Sequence, residues 1–273
     1  MSNDMVVVIG LGSDIGRELA LRFASDGWTV KGTYRTQAGL AGLPQSVGST
    51  RCDLASAESI SHALEWLRTH CEGWRLIVVA AGTEEPVGSF WDCNADEWDR
   101  GMQINALAPL RLIRGLYPIR HKDGSPSVAL FSGAGTNGAA PAYSAYCASK
   151  VMLIKMCELL DAESADTSHF IIGPGIVRTK IHEETLQAGA RAGANLKKVT
   201  SFLESRDPGT SHDEIYSCLR WCMAAGKKAV GGRNISLVHD AWRQGDGLAR
   251  WLESDQNNYK LRRFSNEHRI KTD

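Results

Sequence analysis

The sequence predicts a doubly wound α/β fold, a parallel sheet of about seven strands with helices on both faces. Three observations predict it. Short apolar runs alternate with longer segments of helical periodicity. The runs are apolar throughout, which suits strands covered on both sides. The first run passes straight into a glycine-rich turn that opens a helix, Gly10-Leu-Gly12-Ser-Asp-Ile-Gly16.

Taken in order, the apolar runs place strands at residues 5–10, 28–34, 49–52, 76–80, 127–131, 170–173 and 234–238. Helical periodicity fills residues 15–25, 57–69, 95–116, 143–162 and 213–225. Residues 187–211 form a long stretch rich in Gly, Ala, Ser, Arg and Lys, read as an irregular segment that closes over a ligand. The chain reads as one domain over 1–245, with a substrate loop near 180–211 and a polar tail over 246–273.

Composition removes several function classes. The 31 basic residues equal the 31 acidic ones, so the basic excess of a nucleic-acid-binding protein is missing. The seven cysteines form no C-x-x-C pair, which suits reduced thiols in the cytoplasm and no metal site. The run Val6–Ile9 is too short for a membrane span.

Two motifs carry chemistry. In the glycine turn, the missing side chains let a pyrophosphate approach the backbone, and the helix start offers free N–H groups and partial positive charge. Gly10, Gly12, Ser13, Asp14 and Ile15 are the residues placed there, with Asp14 a candidate N-cap. The second motif is Tyr146-Cys-Ala-Ser-Lys150, whose spacing of four sets both functional side chains on one helix face. A nearby ammonium lowers a phenol's pKa and fits it for acid–base work.

Together these residues resemble the short-chain dehydrogenase/reductase family, in its single-domain branch with a Rossmann-type sheet. Gly10 and Gly16 match its first and last turn glycines. Asp53 and Leu54 match its adenine contact, and Ala80-Ala81-Gly82 stands where it carries Asn-Asn-Ala-Gly. Asn105, Ser132, Tyr146 and Lys150 match the catalytic positions, and Pro174-Gly175-Ile-Val177-Arg-Thr179 the stretch beside the nicotinamide. Gly232-Arg-Asn-Ile-Ser236 and Leu261-Arg-Arg263 resemble segments of one branch.

The resemblance implies an NAD(P)-dependent oxidoreductase acting on a small carbonyl or alcohol. Tyr146 is then the general acid/base, and Lys150 lowers its pKa and holds the nicotinamide ribose. Ser132 holds the substrate oxygen, Asn105 fixes a water, and Thr179 positions the carboxamide. The resemblance also implies a homodimer or homotetramer built on the helices at 95–116 and 143–162. Ala106, Leu107, Leu110, Ile113, Met152, Met156 and Leu159 are the expected contacts.

The sequence departs from the pattern at Asp14, which replaces the middle turn glycine, and at Ile9, Ala80 and Ala81. Ser132 lies fourteen residues before Tyr146, one more than the commoner family spacing; Thr136 is its substitute. The second predicted strand ends in Gly32-Thr-Tyr-Arg35 without the acidic residue that an NAD-specific site uses on its ribose. NADP(H) is therefore expected over NAD(H), with Arg35 and then Arg17 on the 2′-phosphate. Glu84, Glu85, Asn137 and Tyr143 are expected to line the substrate pocket, while Arg191, Lys197, Lys198 and Arg206 suggest an anionic substrate. A cofactor sensor without chemistry and an extended-type epimerase or dehydratase are the alternatives. The intact Ser, Tyr, Lys and Asn set argues against the first. Against the second stand the chain length and a turn that does not match Gly-x-x-Gly-x-x-Gly.

Overall fold

A computed structural model describes residues 4–263. Seven strands form one parallel sheet in the order β3-β2-β1-β4-β5-β6-β7. They are β1 (Met5–Ile9), β2 (Thr29–Tyr34), β3 (Gly48–Arg51), β4 (Leu76–Val79), β5 (Ser127–Phe131), β6 (Ser168–Gly173) and β7 (Asn234–Ser236). The predicted fold class is the observed one.

Alternation along β1 builds both layers. Val6 and Val8 face a core shared with Leu19, Phe23, Ile215 and Leu219. Met5, Val7 and Ile9 face a second core with Ile60, Leu67, Leu112 and Leu153. The helices that supply these residues are α1 (Asp14–Ser25) and α8 (His212–Val230) on one face. On the other lie α2 (Ala57–His70), α4 (Ala108–Leu116) and α5 (Ser144–Glu163). The helix expected over 95–116 is divided into α3 (Ala95–Met102), a π-helical turn at Gln103–Leu107, and α4.

The stretch 187–211 is not irregular. It continues α6 (His182–Ala188) through a short 3₁₀ turn into α7 (Ala194–Glu204). Its apolar positions are sparse, so periodicity is weak, yet Ala192 and Phe202 are buried. Beyond Gly245, residues Asp246–Ser254 form α9, with Leu248 and Leu252 in the core under the sheet. Arg233 is buried and donates to the carbonyls of Ala229, Leu252, Asp255 and Asn258, joining the ends of α8 and α9. Arg262 pairs with Glu158 of α5 at 2.6 Å. These contacts give the Gly-Arg-x-Ile-Ser and Leu-Arg-Arg segments a structural role. Phe264 and the rest of the predicted tail lie outside the described residues. Among the described residues no helix is long and apolar enough to cross a membrane.

Candidate active site

The carboxyl ends of β1, β2, β4, β5 and β6 open into one cleft of about 1450 Å³. In a doubly wound sheet this is where ligands bind, because the strand order reverses between β1 and β4 and leaves a crevice there. The cleft brings together Gly10, Gly12, Ser13, Asp14, Ile15, Arg35, Asp53, Leu54, Ala80, Ala81, Gly82, Ser132, Tyr146, Lys150, Pro174, Gly175, Val177 and Thr179.

The glycine turn has the shape expected of it. Gly10 has φ +101°, and a Cβ there would lie 2.7 Å from the Ala81 nitrogen. Only a residue without a side chain lets the turn seat against β4. The helix cap is Ser13 rather than Asp14: the Ser13 hydroxyl accepts from the Gly16 N–H at 3.0 Å and donates to the Gly10 carbonyl at 2.9 Å. Asp14, one residue inside the helix, instead accepts from the Lys180 backbone N–H at 2.7 Å. The Lys180 ammonium donates to the Gly12 carbonyl at 2.5 Å. The side-chain-free turn, the capped helix start and this ammonium together fit a dinucleotide pyrophosphate. Arg35 is exposed at the end of β2 and lines the cleft. Arg17 does not line it; its guanidinium meets Glu18 at 3.5 Å.

Tyr146 and Lys150 sit one turn apart on α5, and the ammonium lies 5.4 Å from the ring centroid. Lys150 is buried and donates to the Phe131 carbonyl at 3.2 Å. Burial pushes it down to about 8. Tyr146 moves in the direction opposite to that expected. Burial first, then the acidic groups Glu84, Cys147 and Glu184, hold its phenol well above the ordinary value. Asn105 is fully buried on the π-helical turn, where its amide accepts from the Thr83 N–H and donates to the Thr83 carbonyl, both at 2.9 Å. A Cβ at Gly82 would lie 3.3 Å from Asn105 Oδ1 and 3.8 Å from Lys150 Nζ, so both side chains come close to that glycine.

Ser132 is not joined to the tyrosine. Its hydroxyl donates to Asn234 Oδ1 at 3.2 Å.

The start of α6 closes this end of the cleft. Glu184 accepts from the Thr83 hydroxyl at 3.0 Å and from the Glu84 N–H. Thr185 donates to Glu84 at 2.7 Å and accepts from the Tyr143 hydroxyl at 2.6 Å. Burial raises the pKa of both carboxyl groups. Thr83, Lys180, Glu184 and Thr185 escaped sequence reasoning, although all four flank motifs that were read. His182 is buried with its ring nitrogen 2.9 Å from the Val177 carbonyl, a packing contact. Of the basic residues expected around the substrate, Lys198 lines the cleft, whereas Arg191, Lys197 and Arg206 do not. The side chains that raise the tyrosine's pKa besides burial are acidic: Glu84, Cys147 and Glu184.

Fold and cleft together define a dinucleotide-binding α/β protein. Residues 4–189 match the family model for short chain dehydrogenases, and the chain belongs to that family of NAD(P)-dependent oxidoreductases acting on CH–OH/C=O groups. It is 27% identical over 188 residues to human dehydrogenase/reductase SDR family member 4, covering 66% of this chain and 68% of the relative. It is 29% identical over 185 residues to an NADPH-dependent pterin aldehyde reductase of Arabidopsis thaliana, covering 64% and 76%. A short chain dehydrogenase of Penicillium aethiopicum is 28% identical over 251 residues, covering 86% and 96%. Among solved structures, a short chain dehydrogenase/reductase of Saccharomyces cerevisiae superposes with TM-score 0.76 at 19% identity, over 89% of this chain and 99% of that one.

Proposed function

We propose that this protein is an NADPH-preferring carbonyl reductase in which Tyr146 gives its proton to the substrate oxygen. The state of Tyr146 carries the reading. A buried phenol beside two carboxyl groups keeps its proton at neutral pH, and that is the form a reduction consumes. A reduced nicotinamide dinucleotide, when bound in the cleft, would supply the hydride for the carbonyl carbon. Tyr146 completes the alcohol by protonating the oxygen. Lys150, one helical turn away with its ammonium 5.4 Å from the ring, stabilises the phenolate that this step leaves. Asn105 holds the Thr83 backbone and so keeps the end of β4 against the lysine. The same steps reversed oxidise an alcohol.

The cofactor preference rests on Arg35. It stands at the end of β2, and the flanking Thr33, Tyr34 and Thr36 offer no carboxylate to a ribose. A guanidinium forks onto a 2′-phosphate with charge-assisted hydrogen bonds. The pyrophosphate falls to the turn Gly10–Ile15 and to Lys180, and the nicotinamide to Pro174, Gly175, Val177 and Thr179. The NADPH-dependent reductase of Arabidopsis thaliana supports the same choice. The free thiols fit the cytoplasm as its compartment.

The test is NADPH and NADH oxidation against a panel of aldehydes and ketones. A higher kcat/KM with NADPH is expected. A higher kcat/KM with NADH overturns the preference, and no turnover with any carbonyl overturns the reaction.

A further inference from the structure

Asp14 stands where the family resemblance expects the middle turn glycine. A carboxylate in the first turn of α1 competes with a pyrophosphate for the same helix end and repels it. Asp14 is not needed as the cap, since Ser13 fills that place. It reaches across the cleft instead. Its Oδ2 accepts from the Lys180 backbone N–H at 2.7 Å, a contact between residues 166 apart in sequence. In the opposite direction the Lys180 ammonium donates to the Gly12 carbonyl at 2.5 Å. Two hydrogen bonds from one residue thus join the glycine turn to the segment that follows β6.

These bonds cross the cleft near its middle. Gly12, Asp14 and Lys180 all line it. In the strand order β1 lies between β2, which leads to Arg35, and β6, which leads to Thr179. A dinucleotide that extends from Arg35 to Thr179 must pass the turn after β1. Lys180 is held there by its neighbours. Arg178 donates to the carbonyls of Phe202, Leu203, Ser205 and Asp207, and the His182 ring meets the Val177 carbonyl at 2.9 Å. The residues on both sides of Lys180 are tied to other parts of the chain, and its own two bonds tie this strap to the start of α1.

We propose that Asp14 is a positioning residue that clasps Lys180 over the cofactor's pyrophosphate and so governs how fast the cofactor leaves. The carboxylate holds the Lys180 backbone, which sets the side chain over the turn, where its ammonium is in place for the phosphate charge. Placing that cation offsets the carboxylate's own repulsion of the phosphates. A glycine at position 14 has no acceptor for the bond, so the clasp comes from this chain's departure from the family pattern. The inference rests on the reading of the glycine turn as the pyrophosphate site. It does not depend on which cofactor is preferred, since NADPH and NADH both carry the pyrophosphate.

The experiment compares the full chain in wild type with Asp14→Ala and Asp14→Asn. Stopped-flow fluorescence measures the dissociation rates of NADPH and NADH. Amide hydrogen exchange by NMR, without cofactor, follows the Lys180 N–H. Asp14→Ala is expected to speed dissociation of both cofactors by about tenfold, the loss of one charge-assisted hydrogen bond. It also speeds exchange at the Lys180 N–H. Asp14→Asn keeps an oxygen acceptor and drops the charge. It is expected to restore slow exchange at Lys180 and to bring dissociation back to within about threefold of wild type. Should Asp14→Ala fail to fold, Asp14→Gly, the residue the family pattern has there, takes its place with the same expected outcome.

Fast exchange at Lys180 in Asp14→Ala with a wild-type dissociation rate overturns the proposal, because the clasp is then broken without effect on the cofactor. Slower dissociation in both variants also overturns it and leaves Asp14 as a repulsive charge. Unchanged exchange at Lys180 in Asp14→Ala removes the clasp itself. A wild type that binds neither NADPH nor NADH overturns the pyrophosphate reading and the clasp's role with it, whereas the other three results count against the clasp alone.

Discussion

At the scale of single residues, the chemistry depends on where burial puts a proton. Desolvation first, then the neighbouring acidic groups, hold the Tyr146 phenol above its ordinary value, so it carries its proton at neutral pH. Tyr146→Phe keeps the ring and removes that proton. Turnover is expected to fall by roughly 10²–10⁴ with NADPH affinity within a few-fold, which steady-state kinetics and fluorescence titration measure; retention of more than about a tenth of kcat means the acid lies elsewhere. The cofactor contacts separate in the same way. An exposed guanidinium–phosphate contact contributes about 1.5–3 kcal/mol, so Arg35→Ala is expected to weaken NADPH by about tenfold and leave NADH nearly untouched. Lys180→Ala, acting on the pyrophosphate that both cofactors share, weakens both alike. Equal losses for both cofactors in Arg35→Ala would remove the 2′-phosphate assignment.

At the scale of elements, irregularities set the site. The π-helical turn at Gln103–Leu107 carries Asn105, and such turns often occur at functional positions because they redirect a side chain inward. The short helix α6 brings Glu184 and Thr185 down onto the end of β4. Strand β6 carries a different consequence. His169 is buried in it, and burial, reinforced by Lys227, lowers its pKa from 6.5 to about 4. Below 6.5 the unfolded chain takes a proton that the folded chain refuses, so stability falls as pH drops toward 4 and then levels. The loss is about 3 kcal/mol over that window. Chemical denaturation between neutral and acid pH measures it, and His169→Gln is expected to flatten the slope; an unchanged slope in that variant would assign the acid sensitivity to other groups.

At the scale of the whole molecule, the outer faces of the two helical segments expected to pair carry exposed apolar side chains. Leu107 is 38% exposed and Leu159 42%. Ala106 and Ile113, expected in the same contact, are buried in this chain's own core. A homodimer or homotetramer is expected by light scattering at micromolar concentration, since closed symmetric assembly is the common outcome for such faces. Leu107→Glu with Leu159→Glu is expected to give monomers that retain NADPH binding. A monomeric wild type, or a double variant that assembles normally, rules out this face as the interface.

The sheet, its flanking helices and the glycine turn were legible in the sequence because their signals are local. An unbroken apolar run such as Val6–Ile9 must be covered on both faces, and a glycine turn opening a helix has few other uses. Tyr146 and Lys150 were legible because helical spacing sets them on one face and the ordered set of motifs around them resembles one family; the spacing alone is common on helices. The tertiary structure decided what periodicity does not encode. The direction of the Tyr146 shift depends first on burial and then on Glu84 and Glu184, residues a hundred apart in sequence that are joined where the Glu84 backbone N–H donates to the Glu184 carboxylate. Asp14 looked like a helix cap by residue type, but the cap is Ser13, and the Asp14 carboxylate instead accepts from the Lys180 backbone N–H. Desolvation and charge act through space, so these outcomes appear only when the folded chain has fixed the distances.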